Sequence, residues 1–253
     1  MYDPLLLLER LGEWASNRRR LRKLRRTVAS HLTLGHIDSL ESLELIRDRD
    51  INVVFDVGAN VGTWTLLAKC ILPNCEVHAF EPLPFHITEF KKAVANVSGV
   101  TLHELALGDS SGCIDIRITS STDASSVLPL SKLRSSHYDL AEVDTIEVQL
   151  DSIDNLMAHR RTPQPDLIKM DIQGYELTAL QGANNALRTA KAILLEVSFQ
   201  AIYEEQCLFH EIVEFLNVRG FRLTSIGHGP IVGRRLVQAD LLFERADTAE
   251  LQS

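Results

Sequence analysis

Apolar residues along the chain follow two spacings. Leu7, Leu11, Trp14, Leu21, Leu24, Val28 and Leu32 recur at three- or four-residue steps, with a gap at Arg18. That is the stripe of an amphipathic helix within residues 1–34. A second short helix is predicted over Ser39–Arg47. Then the rhythm changes. Asn52–Val57 is an apolar, β-branched run of the kind buried on both faces of a parallel sheet. Gly62–Ile71 reads as a helix, Glu76–Phe80 as a strand, Pro84–Val94 as a helix and Thr101–Leu105 as a third strand.

Ser110 to Leu150 breaks the alternation. Cys113–Ile118 and Asp144–Leu150 alternate apolar with polar, as half-exposed antiparallel strands do. The polar run Thr119–Ser126 follows the first of them. The section is expected to be a β-hairpin insertion carrying a mobile cover. Alternation resumes with a strand at Leu167–Met170, a helix at Tyr175–Ala186 and a strand at Ala192–Val197. A helix over Leu208–Arg219 ends at Gly220, where a glycine cap is expected. Phe221–Ile226 and Leu236–Phe243 are expected to close the chain as a strand pair.

Repeated β-α-β units predict an α/β, doubly wound, mainly parallel sheet with helices on both faces. The expected division is an N-terminal helical extension over 1–48 and one α/β domain over 49–253. The 253 residues suffice for that single core. Residues 18–26 are densely basic. Two readings of the first helix stay open. Its stripe docks on the domain or on a second subunit, giving a homodimer, or its basic face meets a membrane surface or acidic partner.

Composition narrows the class. Apolar residues make up 45% and charged residues 24%, ordinary for a globular protein. The net charge of −8 argues against nucleic acid as a partner. Cys70, Cys75, Cys113 and Cys207 match no zinc spacing, and reduced thiols in a cytoplasmic protein are expected. The run Leu5–Leu8 is too short for a signal peptide, and no stretch reaches the roughly 18 apolar residues of a membrane span.

The candidate chemistry sits at strand ends. Val53-Val54-Phe55-Asp56-Val57-Gly58-Ala59-Asn60-Val61-Gly62 is a strand, a tight small-residue turn and a helix start. In doubly wound sheets ligands bind at this end. Asn60 stands where a dinucleotide fingerprint has its second glycine, so a ligand without a pyrophosphate is favoured. Asn60 can offer its amide to a ligand carboxylate or act as a left-handed turn residue. Glu81, 19 residues after Gly62 and followed by Pro82, can accept bonds from both ribose hydroxyls or serve as a helix-start acid. Ala106 and Leu107 follow the third strand, where a small residue lets an adenine ring pass the sheet edge. Asp171 ends the Leu167–Met170 strand near the glycine turn. Glu176 falls in the next helix's first turn, as a site group or a dipole partner. Glu196 is a charge inside an apolar strand, facing the site or paired structurally. His210 lies just off the apolar stripe of its helix, toward a cleft or toward solvent.

Together these motifs resemble the FkbM family of S-adenosylmethionine-dependent methyltransferases, over about residues 50–245. The matching pieces are Asp56-Val57-Gly58-Ala59-Asn60-Val61-Gly62, Phe80-Glu81-Pro82, Ala106-Leu107-Gly108-Asp109, Lys169-Met170-Asp171-Ile172-Gln173-Gly174-Tyr175-Glu176 and Leu180-Gln181-Gly182-Ala183. Gln173 departs from the family, which often has an acid there. The resemblance implies a Rossmann-like class I methyltransferase sheet and S-adenosyl-L-methionine as cofactor. It implies cofactor contacts at Asp56, Gly58, Asn60, Gly62, Glu81, Pro82, Ala106, Leu107 and Asp171. It also implies O-methylation of a small-molecule or glycan hydroxyl acceptor. Asp171 is then the first candidate for base or acceptor-positioning group, followed by Glu196 and His210. No metal is assigned, although Asp171 and Glu196 end neighbouring strands and two carboxylates there can hold a divalent ion. A nicotinamide-dependent oxidoreductase and a non-catalytic cofactor-binding relative are the competing readings.

Overall fold

The structure, a computed structural model, describes residues 37–131 and 140–246. The basic N-terminal helix predicted within 1–34 lies outside the described residues. The elements in chain order are α1 (Ile37–Leu45), β1 (Val53–Val57), α2 (Thr63–Ile71), β2 (Glu76–Phe80), α3 (Pro84–Ala93), β3 (Val100–His103), β4 (Ala106–Leu107), β5 (Gly112–Thr119) and β6 (Glu142–Asp151). They continue with α4 (Ile153–Ala158), β7 (Leu167–Met170), α5 (Glu176–Gln181), β8 (Ala192–Ser198), α6 (Phe209–Asn217) and β9 (Phe221–Ile226). A small ribbon, β10 (Ile231–Val232) and β11 (Arg235–Leu236), precedes β12 (Gln238–Arg245).

Seven strands form one sheet in the order β3-β2-β1-β7-β8-β12-β9. The first five are parallel, and β12 runs antiparallel to both β8 and β9. The doubly wound sheet follows from side-chain alternation along strands buried on both faces. On one face Phe55, Val57, Ile168, Met170, Ile193 and Leu195 share a core with α5 and α6. On the other face Val54, Leu167, Leu194 and Leu242 pack with α2 and with Leu40, Leu43 and Ile46. Residues of α1 are therefore part of the core of the domain expected to start at 49.

A second sheet has the order β4-β6-β5. The β5 and β6 strands pair antiparallel, as their alternation predicts. The pairing of β4 parallel to β6 was not legible, because Ala106 and Leu107 are only two residues long. The third strand of the main sheet accordingly stops at His103, two residues before the expected end. Helix α5 also stops short of its expected end. A Cβ on Gly182 would lie 2.0 Å from the Gly108 carbonyl oxygen, so only glycine lets these two motifs touch. The chain continues beyond it as a short 3-10 turn over Ala186–Arg188. No helix among the described residues is long and apolar enough to cross a membrane.

Candidate active site

A cavity of about 720 Å³ opens at the carboxyl edge of β1, β2, β7 and β8. The turn after β1 forms one side. Gly58, Asn60 and Gly62 all have positive φ, of 75°, 49° and 87°. The Gly58 and Ala59 amides donate to the Phe80 carbonyl at 3.0 and 3.1 Å, which sews the turn to the end of β2. Asn60 takes the left-handed turn role, its Oδ1 accepting from the Val61 amide at 2.7 Å. Its amide nitrogen donates to Asp123 Oδ1 at 3.0 Å, so the side chain serves the cover as well as the turn.

Glu81 lines the cavity at the end of β2 and is only 4% exposed. Its Oε2 accepts from the Asn60 amide at 2.8 Å and its Oε1 from the Leu83 amide at 2.9 Å. A carboxylate offers about four lone-pair directions, so two acceptor positions are left for a ligand. His86 Nδ1 stands 3.5 Å from Oε1. Pro82, Ala106 and Leu107 line the same wall beside Phe80 and Leu105, giving it an apolar strip next to the carboxylate.

Asp56 is in a different place from the one implied. It is fully buried beneath the turn and does not line the cavity. It faces Lys169 on β7, its cross-strand neighbour, with Oδ1 3.3 Å from Nζ, and accepts from Thr65 Oγ1 at 2.5 Å. The Lys169 ammonium also donates to the Gly58 carbonyl at 3.1 Å. Burial alone would lower the Lys169 pKa, yet the adjacent Asp56 and Asp171 charges carry it above its ordinary value. Asp56 thus holds the lysine that holds the turn. Gly62 likewise stands behind the lining, with the Phe90 ring 3.0 Å from the position of a Cβ.

The opposite wall is acidic. Asp171, Glu196 and Asp240 all line the cavity, together with Gln173 and Gln238. Gln173 Nε2 donates to Asp171 Oδ1 at 2.7 Å and to Glu196 Oε2 at 3.2 Å. Gln238 Nε2 donates to the same Glu196 oxygen at 2.9 Å. Burial pushes the Glu196 carboxyl well above its usual range, and the charges of Asp171, Asp240 and Glu176 push the same way against the pull of Lys169. Glu176 is buried nearby, with Oε1 accepting from the Ile172 and Gly174 amides at 2.9 and 3.2 Å. Burial is the main cause that raises it to about 7. It shapes the loop and does not line the cavity. No cluster of three or more histidine, cysteine or acidic residues with metal-holding geometry occurs among the described residues.

His210 is the candidate that the structure leaves out. It is exposed on α6 and does not line the cavity, because only Ile212 and Leu216 of that helix are buried in the core. Sequence reasoning missed Gln238 and Asp240. Strand β12 runs antiparallel to β8, so its beginning, not its end, reaches the site, and Asp240 sits opposite Glu196 in register.

The polar run after β5 covers the cavity. Residues 121–127 line it, with a 3-10 turn at Thr122–Ala124. His86 Nε2 lies 3.3 Å from Thr122 Oγ1, and Ser126 Oγ donates to the Gln173 carbonyl at 2.7 Å. The cover is thereby tied to both walls.

Comparison with known proteins gives the same picture. Residues 56–223 match the sequence model of a family described as Methyltransferase FkbM domain. The 2-O-methyltransferase NoeI of Sinorhizobium fredii is 26% identical over 171 residues, which span 65% of this chain and 70% of the relative. The hexuronic acid methyltransferase AglP of Haloferax volcanii is 27% identical over 146 residues, 58% of this chain and 56% of the relative. The crystal structure of methyltransferase FkbM from Methylobacillus flagellatus KT shares the fold, with a TM-score of 0.52 at 15% identity over 90% of this chain and 60% of that one. The chain thus spans little more than half the length of the last two.

Proposed function

The chain belongs to the FkbM methyltransferase-domain family, with S-adenosyl-L-methionine as its cofactor, and on that premise we propose that it transfers a methyl group to a hydroxyl oxygen of a sugar, glycan or natural-product acceptor.

The residues present fit the cofactor. The cavity volume of about 720 Å³ falls within the roughly 300–1,000 Å³ typical of small-molecule sites. Glu81 keeps two acceptor positions for a ribose diol, and Phe80, Leu105, Ala106 and Leu107 supply an apolar strip for a base. The acidic wall suits a cationic sulfonium. When bound, the cofactor supplies an electrophilic methyl group on that sulfonium.

What this chain must add is placement and a proton acceptor. The hydroxyl has to lie in line with the methyl carbon, which is positional work. It must also lose its proton as it attacks. The observation that carries the proposal is the Asp171–Glu196 pair, bridged by one amide at 2.7 and 3.2 Å and facing the same cavity as the glycine turn. Glu196 Oε2 accepts from two amides, which leaves Oε1 to take the proton. A carboxylate with a raised pKa is the stronger base near neutral pH. Asp171 receives the hydroxyl and holds it toward the turn. The cover over residues 121–127 excludes water from the reacting atoms.

The acceptor class is supported by the names of the two relatives, one a 2-O-methyltransferase and one acting on a hexuronic acid. The deciding experiment incubates the purified protein with labelled S-adenosylmethionine and a panel of neutral sugars, uronic acids and polyketide alcohols. Label transfer to a hydroxyl oxygen, located by mass spectrometry, is the expected result. Transfer to nitrogen or carbon only, or hydride transfer with a nicotinamide, would reject the proposal.

A further inference from the structure

We propose that Tyr203 and Gln173 are positioning residues that fix the Asp171–Glu196 carboxylate pair in its proton-accepting arrangement. The inference rests on the transfer reaction proposed above.

Tyr203 is fully buried although it sits in the connection between β8 and α6. Its hydroxyl oxygen lies 2.8 Å from Gln173 Oε1 and 2.9 Å from the Ala124 carbonyl oxygen. The Gln173 amide nitrogen faces the pair, donating to Asp171 Oδ1 and Glu196 Oε2. Its carbonyl oxygen then faces away and needs a donor. The Tyr203 hydroxyl is that donor. Without it the amide loses the contact that forbids a flip, and a flipped amide would aim an acceptor at two acceptors.

The backbone is held for the same purpose. Gln173 has a φ of 56°, a conformation glutamine rarely adopts, and Gly174 follows with a φ of 99°. The turn is pinned by Ser126 Oγ on the Gln173 carbonyl at 2.7 Å and by Glu176 Oε1 on the Gly174 amide at 3.2 Å. Tyr203 is itself placed by Gln206, whose Oε1 accepts from the Tyr203 amide at 3.2 Å and whose Nε2 donates to Ser198 Oγ at 2.9 Å. The same hydroxyl lies against the cover, its single proton shared between Gln173 Oε1 and the Ala124 carbonyl oxygen.

The groups facing Glu196 set what the amide must offset. Asp171, Asp240 and Glu176 disfavour its ionised form, and Lys169 favours it. The two donated N–H bonds, from Gln173 and Gln238, act on the side of Lys169. Removing one raises the pH at which Glu196 loses its proton.

Two variants test this without removing a catalytic group. Tyr203→Phe keeps the buried ring, and Gln173→Glu keeps the length but turns the donor into another acid. Both are compared with wild type by methyl-transfer kinetics across pH and by infrared titration of the protonated-carboxyl band that Glu196→Gln deletes. Tyr203→Phe is expected to lower kcat roughly tenfold, the scale of one hydrogen bond, with KM for S-adenosylmethionine unchanged. In both variants the acid limb of kcat and the midpoint of the infrared band move to higher pH. Unmoved midpoints in variants with wild-type Tm overturn the inference. The infrared shift supports it whether or not an acceptor has been found, so a failed transfer assay rejects only the reaction.

Discussion

The carbonyl oxygen of Asp171 occupies the space that a side chain on Gly58 would need. A Cβ built on Gly58 lies 2.0 Å from that oxygen, and the φ of 75° is itself one that other residues resist. The glycine turn and the carboxylate loop are therefore in backbone contact. Gly58→Ala is expected to push them apart, adding a left-handed penalty of roughly 1–2 kcal/mol to the clash. Thermal unfolding should show a lowered Tm and calorimetry no measurable binding of S-adenosylhomocysteine. Wild-type affinity in this variant would show that the two loops move independently.

Glu81 offers a second test. Its replacement by alanine removes the charged acceptor proposed for the ribose hydroxyls, worth about 1.5–3 kcal/mol, so affinity for S-adenosylhomocysteine should fall roughly 10- to 100-fold. Glu81→Gln, which keeps one acceptor oxygen, should lose less. Calorimetric constants that do not change in the alanine variant would remove Glu81 from the cofactor site.

The Asp56–Lys169 pair lies under the turn at 3.3 Å, with Asp56 completely buried. Lys169→Met leaves that carboxylate without its cation, a defect that costs about 3–5 kcal/mol when a buried pair is broken. Denaturant unfolding should show this loss, and a double variant with Asp56→Asn should recover part of it. A single variant as stable as wild type would mean that the pair holds nothing.

Glu176 should make stability depend on pH. Its carboxyl is raised from 4.5 to about 7 in the folded chain by burial. Its contribution is thus full below 4.5, declines as pH rises toward 7 and is lost above. Glu176→Gln keeps an oxygen for the Ile172 and Gly174 amides but cannot ionise. Its stability relative to wild type should climb between pH 4.5 and 7 and level off beyond. A difference that stays flat across that window would exclude an ionising Glu176.

The parts of the site legible from sequence were those fixed by local backbone rules. Gly58, Asn60 and Glu81 follow one another at spacings that a strand, turn and helix dictate, and each lines the cavity. Ala106 and Leu107 reach the cavity too, although their strand was too short to leave a pattern. Asp56 was misplaced because a motif gives neighbours in sequence, whereas its partner Lys169 comes from another strand. Gln238 and Asp240 left no signal, since they reach the site on a strand antiparallel to β8, and Tyr203 left none because it sits in an irregular connection. His210 looked suitable by type, but the buried stripe of its helix turns it to water.

Strand β12 lies between β8 and β9, although it is made after both. During synthesis the ribosome releases β9 before the partner that separates it from β8 exists. Until then those two strands present open edges, and the nascent chain lacks Gln238 and Asp240. The glycine turn and Glu81 are thus synthesised well before the strand that brings Gln238 and Asp240 to the other wall of the cavity.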